Sequence, residues 1–189
     1  MALFTIEHSK AAYGVDFAVY GAAVAGLAVA LVVALPRGQW LEIAALVATG
    51  LAAWTAIEYA IHRFVLHGMQ PFRRWHTEHH ERPTALICAP TIVSALLIAT
   101  LVFLPAWISA GIWRASALTL GVLIGYLAYA ITHHATHHWP IAPGDWLYPA
   151  LVRHLGHHYH DDLHFGIVTG LWDRIFGTAG RRRNRLAGV

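Results

Sequence analysis

Fourteen of the fifteen histidines in this chain fall in two blocks. His62, His67, His76, His79 and His80 form the first; His133, His134, His137, His138, His154, His157, His158, His160 and His164 form the second, and only His8 stands apart. "HTEHH" (His76, His79, His80) and "HLGHH" (His154, His157, His158) each place imidazoles at i, i+3 and i+4, positions that share a helix face. "HHATHH" pairs His133 with His137 and His134 with His138, four apart, and "HRFVLH" sets His62 and His67 five apart. Each of the four segments can point two or three imidazoles at a common centre, which is the spacing of a metal site built from helices.

A lone histidine on an apolar face is more often a hydrogen-bonded core residue than a ligand, and histidines beside a membrane can be simple interface residues. Four recurring boxes change that balance. Imidazoles crowded this tightly repel one another when protonated, and a cation that binds the neutral rings removes the difficulty. Ten or so ligands are too many for one ion, so two ions are the natural count. Imidazole suits zinc, copper, iron and nickel alike. Glu58, one turn before His62 in "EYAIHR", is a carboxylate inside an apolar segment and so a functional candidate. It either pairs with Arg63 or a neighbouring helix, or steadies a ligand imidazole through a hydrogen bond. Asp161 and Asp162 are candidates for the same supporting part, or are solvated loop residues.

The elements that must carry these boxes are membrane spans. The chain has 189 residues, one domain by length, 57% hydrophobic and 12% charged, with a mean hydropathy of +0.50. Apolar runs predict four spans, at about 17–35, 41–61, 90–108 and 115–131. Pro36 stops the first, which is too long for a signal-peptide core and reads as an anchor that stays. Pro105 is expected to bend or end the third. This gives an all-α integral membrane protein: four transmembrane helices and a cytoplasmic histidine-rich helical cap over 62–89 and 132–178, closed by a basic tail over 179–189. The sidedness follows from charge. With both termini cytoplasmic, Lys10, Arg63, Arg73, Arg74, Arg82, Arg153, Arg174, Arg181, Arg182, Arg183 and Arg185 lie on that face and only Arg37 and Arg114 opposite. A re-entrant pair in place of spans three and four leaves the sidedness unchanged. The tail "RRRNR" reads as a partner of anionic headgroups, with no nucleic acid implied. A single cysteine, Cys88, excludes an intramolecular disulfide and any multi-cysteine metal site.

The boxes in this order, with the closing "FGIVTGLWDRIFGT", resemble the membrane fatty acid hydroxylase and sterol desaturase superfamily over roughly residues 50–178. "EYAIHRFVLH" and "GYLAYAITHHATHH" are most similar to its fatty acid 2-hydroxylase branch. That resemblance implies ligands at His62, His67, His76, His79, His80, His133, His137, His154, His157 and His158. His134 falls where the branch tends to carry tyrosine, which leaves His134 and His138 as supporting or reserve ligands. His164 stands where many relatives have asparagine, and the chain shows no fused haem-binding cytochrome domain of the kind some relatives carry.

The resemblance further implies two iron ions, replaceable by zinc in a purified protein, with dioxygen as co-substrate. The expected activity is hydroxylation of a membrane lipid, a fatty acyl chain first and carbon 2 favoured, with no catalytic side chain beyond the metal centre. Electrons would come from a separate donor, a ferredoxin or a b-type cytochrome with its reductase. Arg73, Arg74, Arg153 and the tail would suit an acidic partner or, equally, phospholipid. A lipid desaturase, or a sterol- or carotenoid-modifying oxidase, differs only in outcome. A divalent metal transporter or sensor would spread its ligands along a path through the spans, and a membrane b-type cytochrome would pair histidines on facing helices.

Overall fold

A computed structural model describes residues 7–36 and 38–180. Arg37 and the tail arginines Arg181, Arg182, Arg183 and Arg185 lie outside the described residues. Eight α-helices follow in order: α1 Lys10–Ala34, α2 Trp40–Ala60, α3 Phe72–Glu81, α4 Thr91–Ile98, α5 Leu104–Ala110, α6 Ile112–His138, α7 Tyr148–Tyr159 and α8 Leu171–Ile175. Among the described residues the one extended pairing is an isolated bridge between Glu7 and Ile87.

Two π-helical stretches join these helices into longer rods: Ile61–Leu66 continues α2, and Ala99–Phe103 links α4 to α5. Four rods are then long and apolar enough to cross a membrane, Lys10–Ala34, Trp40–Leu66, Thr91–Ala110 and Ile112–His138. Each outruns its predicted apolar core at one or both ends, because polar residues that spoil a hydropathy window still extend a helix. The third span also passes through Pro105, which neither ends it nor stands alone as a kink. A proline lacks the amide and clashes with the carbonyl four residues back, and the wider π turn immediately before it is where the backbone accommodates that clash. Gly111, with φ 86°, makes the tight reversal into α6.

The central rod is α6, against which α1, α2 and α5 pack. Its tightest contact is with α2. A Cβ on Gly121 would collide with the Val47 carbonyl and the Leu51 amide, and one on Gly50 with the Leu118 carbonyl. The two backbones therefore touch, the small-residue packing that helices use where lipid removes the hydrophobic drive to associate. At one end Leu31, Leu35, Ile43, Ala117 and Leu120 form a buried apolar cluster, and Arg114 pairs with Glu42 at 2.5 Å. The chain order then brings the start of α1, the end of the Trp40–Leu66 rod, the start of α4 and the end of α6 together at the other end. There α3, α7, α8 and the segment 160–170 cap the bundle.

Candidate metal centre

The π turn settles how His62 and His67 act together. On an α-helix five residues turn through about 500°, leaving the two side chains about 140° apart. Here His67 N–H bonds to the His62 carbonyl at 3.2 Å, five residues back, and the rings come to 5.3 Å between centroids. The two triple boxes work differently. On a helix, i+4 lies about 40° one way from i and i+3 about 60° the other, so each box points at two centres. His76 and His80 turn one way and His79 the other; His154 and His158 turn together and His157 the other way.

Two groups of ring nitrogens result. In the first, one nitrogen from each of His62, His67, His76, His80 and His157 lies within 4.8 Å of the others. The Nε2 atoms of His62 and His76 are 2.9 Å apart, those of His76 and His80 3.1 Å, and those of His67 and His157 3.0 Å. In the second, His79, His137, His154 and His158 meet the same limit. His133 joins them, its Nε2 3.0 Å from that of His79, while His137 and His154 approach to 2.7 Å and His154 and His158 to 3.2 Å. The groups adjoin: the rings of His80 and His158 stack at 4.3 Å. All ten ligands implied by the resemblance are thus divided five and five, and each triple box lends its odd member to the other half.

These separations fit a metal. Two nitrogens each about 2.1 Å from one ion and at right angles stand about 3.0 Å apart. Neutral imidazoles at that distance have at most one hydrogen to share per pair, so bare lone pairs aimed at a common cation are the arrangement that satisfies all five. The protonation state agrees. Burial, followed by the neighbouring imidazoles, pushes His67 down to about 4, His80 to about 3 and His79 to about 2, and holds His76 and His154 well below the ordinary range. Neutral rings are the form that ligates. The nitrogens stand too close for a macrocycle to pass between them, and both groups sit at one end of the spans, so neither a haem pair nor a transport path fits.

The rings of the first group are also held from behind. His62 Nδ1 donates to the Phe165 carbonyl and His157 Nδ1 to the Leu163 carbonyl, each at 2.6 Å. The loop that supplies both acceptors is anchored by charge. Asp173, fully buried, accepts from the amides of Phe165 (2.8 Å) and Gly166 (2.9 Å) and from the Thr178 hydroxyl (2.7 Å). Glu58 Oε1 accepts from the amides of Ile167 (2.6 Å) and Val168 (3.0 Å). Arg153 donates to the carbonyls of Ile167 (2.9 Å) and Val168 (3.3 Å). Glu58 therefore reaches neither Arg63 nor an imidazole; Arg63 bonds the Tyr59 hydroxyl instead. Arg153 is half-buried with its guanidinium turned inward, which removes it from the basic surface expected to meet a partner.

The remaining candidates fall outside both groups. His134 and His138 stack on each other at 4.4 Å, and His134 faces Tyr13 and Phe17 of α1. Asp161 and Asp162 are exposed; the Asp161 charge opposes the downward shifts at His67 and His157. His164 has φ 57°, a left-handed conformation in which asparagine and histidine are both over-represented, so a histidine fits where the resemblance implied an asparagine. Sequence reasoning missed Asp173 and the anchoring role of Arg153. An acid in the largely apolar "GLWDRIFG", where Arg174 is the one other charge, was a signal of the kind that singled out Glu58.

Fold and site together define an integral membrane protein with two adjoining histidine clusters at one end of its spans, each of which could hold a metal ion. The fatty acid hydroxylase family model matches residues 47–178, more than half of the chain, and the chain belongs to that family. It is 34% identical over 154 residues to a dihydroceramide fatty acyl 2-hydroxylase of Arabidopsis thaliana, covering 72% of this chain and 61% of that protein. It is 32% identical over 142 residues to a fatty acid 2-hydroxylase of Rattus norvegicus, covering 68% of this chain and 38% of that one. This chain thus spans less than two thirds of the length of these relatives. The solved structure of full-length scs7p, in which only the hydroxylase domain is visible, superposes with a TM-score of 0.76 at 26% identity, covering 94% of this chain and 70% of that one.

Proposed function

We propose that this chain is an oxygen-dependent hydroxylase that places a hydroxyl group on a fatty acyl chain of a membrane lipid, at carbon 2. The observation that carries the reading is the convergence of ten imidazoles into two adjoining groups at one end of four spans. Iron in both positions, with dioxygen as co-substrate, supplies when bound the redox chemistry that attacks an unactivated C–H bond. His62, His67, His76, His80 and His157 would hold one ion and His79, His133, His137, His154 and His158 the other. Zinc, which shares the preference for imidazole, is the ion expected to replace iron in purified protein.

The chain's own contribution is placement. The spans would deliver an acyl chain to the bilayer surface, and partial to full burial of the rings keeps them neutral. Positive charge on the site end supports a cytoplasmic site and cytoplasmic termini: Lys10, Arg63, Arg73, Arg74, Arg82 and Arg174 all belong to that end, against Arg114 at the other. The single-domain organisation, with spans alternating with a histidine cap, is part of the same reading. Arg73 and Arg74, both exposed on α3, suit an acidic electron donor, a ferredoxin or a b-type cytochrome with its reductase. That its relatives are a dihydroceramide fatty acyl 2-hydroxylase and a fatty acid 2-hydroxylase supports the substrate class.

The test is mass spectrometry of lipids from cells expressing the chain or its His157→Ala, His158→Ala double variant. The reading predicts acyl chains that gain one oxygen atom with the wild type and not with the variant. A loss of two hydrogens instead would assign a desaturase, and an unchanged hydroxylated lipid with the variant would refute the catalytic assignment.

A further inference from the structure

The two groups of imidazoles are alike at Nε2 and unlike at Nδ1. A metal-bound histidine carries its hydrogen on the nitrogen away from the metal, and an acceptor for that hydrogen fixes the ring and strengthens the ligand. In the first group the two innermost rings have such acceptors, the carbonyls of Phe165 and Leu163, at a distance short for N–H···O. Both carbonyls belong to one loop, and Asp173, Glu58 and Arg153 hold that loop rigid. In the second group the Nδ1 atoms of His79 and His154 are buried and make no hydrogen bond among the described residues, and the His158 ring has only the backbone of His80, on the neighbouring helix, to turn to. The loop makes no hydrogen bond to this group.

We propose that the chain holds its two ions unequally. The position ringed by His62, His67, His76, His80 and His157 retains its ion, and the position ringed by His79, His133, His137, His154 and His158 exchanges it. Asp173 is the positioning residue that sets the difference. It touches no ligand, but it fixes the peptide that orients His62. This rests on the two-ion reading above, and removal of hydrogen-bond partners behind metal ligands ordinarily weakens binding by about 10- to 100-fold.

The experiment loads the purified full chain in detergent with zinc and follows zinc loss to a chelator by elemental analysis, so that no turnover is needed. Wild type is expected to bind two zinc ions and to lose them in two phases of one ion each, with rates at least about tenfold apart. His158→Ala should keep one ion that leaves in the slow phase, and His76→Ala one that leaves in the fast phase. Asp173→Asn should accelerate the slow phase alone, with Thr178→Ala doing so more mildly; circular dichroism checks that each variant is folded. Two ions leaving in a single phase, or a fast loss from His158→Ala, overturns the proposal and leaves the two-ion reading standing. Binding of fewer than two ions by the wild type overturns both.

Discussion

Asp173 and His62 are joined through a single peptide unit on either side of Phe165. The carboxylate accepts the Phe165 amide hydrogen at 2.8 Å, and the Phe165 carbonyl accepts the His62 Nδ1 hydrogen at 2.6 Å. One residue thus transmits the position of a buried acid on α8 to a buried imidazole at the end of the second span.

The first prediction concerns this link in metal-free protein. Asp173→Ala leaves the amides of Phe165 and Gly166 buried without acceptors, each costing about 1–3 kcal/mol. A lowered unfolding temperature in detergent, by several kcal/mol of stability, is expected in the chelated protein. An unchanged transition would show that the loop is held without Asp173.

Metal content gives the second. His76→Ala and His137→Ala belong to different groups, so each should lower bound zinc from two ions to one, and the pair together should abolish binding. If either single variant loses both ions, the groups are not separable positions.

A third prediction tests the spans. Gly121→Leu drives a side chain into the Val47 carbonyl and the Leu51 amide, backbone atoms that cannot swing aside. Overpacking in ordinary cores costs about 1–3 kcal/mol, and a backbone obstacle makes this site worse. Monodisperse protein should be lost on size-exclusion chromatography. Gly26→Leu, where nothing lies within 4 Å, is the control expected to behave as wild type.

His164 supplies the fourth. His164→Asn suits the left-handed backbone and should keep two zinc ions and nearly the same melting temperature. His164→Val forces a β-branched residue to φ 57° and should cost about 1–3 kcal/mol. Equal stability of the two variants would mean that the loop relaxes to another conformation.

Much of this molecule was legible from residue types and spacing. Four apolar runs located four helices able to cross a membrane, and the histidine boxes located the imidazoles that converge, because hydropathy and i, i+3, i+4 spacing are local properties of the chain. What spacing could not convey was long-range. The π turn that brings His67 beside His62 depends on packing at the bundle's end, since five residues apart reads as two faces on a regular helix. The exchange of His79 and His157 between groups requires the angle between α3 and α7. Glu58 stood out as a carboxylate in a span, yet its partners, the amides of Ile167 and Val168, lie more than a hundred residues away. Arg153 looked like surface charge because nothing nearby in sequence marks the carbonyls it bonds.

The most direct measurement of the central claim uses isotopically heavy dioxygen. Cells expressing the wild-type chain are grown under the labelled gas and their lipids fragmented in a mass spectrometer. The account predicts heavy oxygen in a hydroxyl group at carbon 2 of an acyl chain, and no such label with the His157→Ala, His158→Ala variant. A hydroxyl carrying ordinary oxygen from water, or label that persists in the variant, would contradict it.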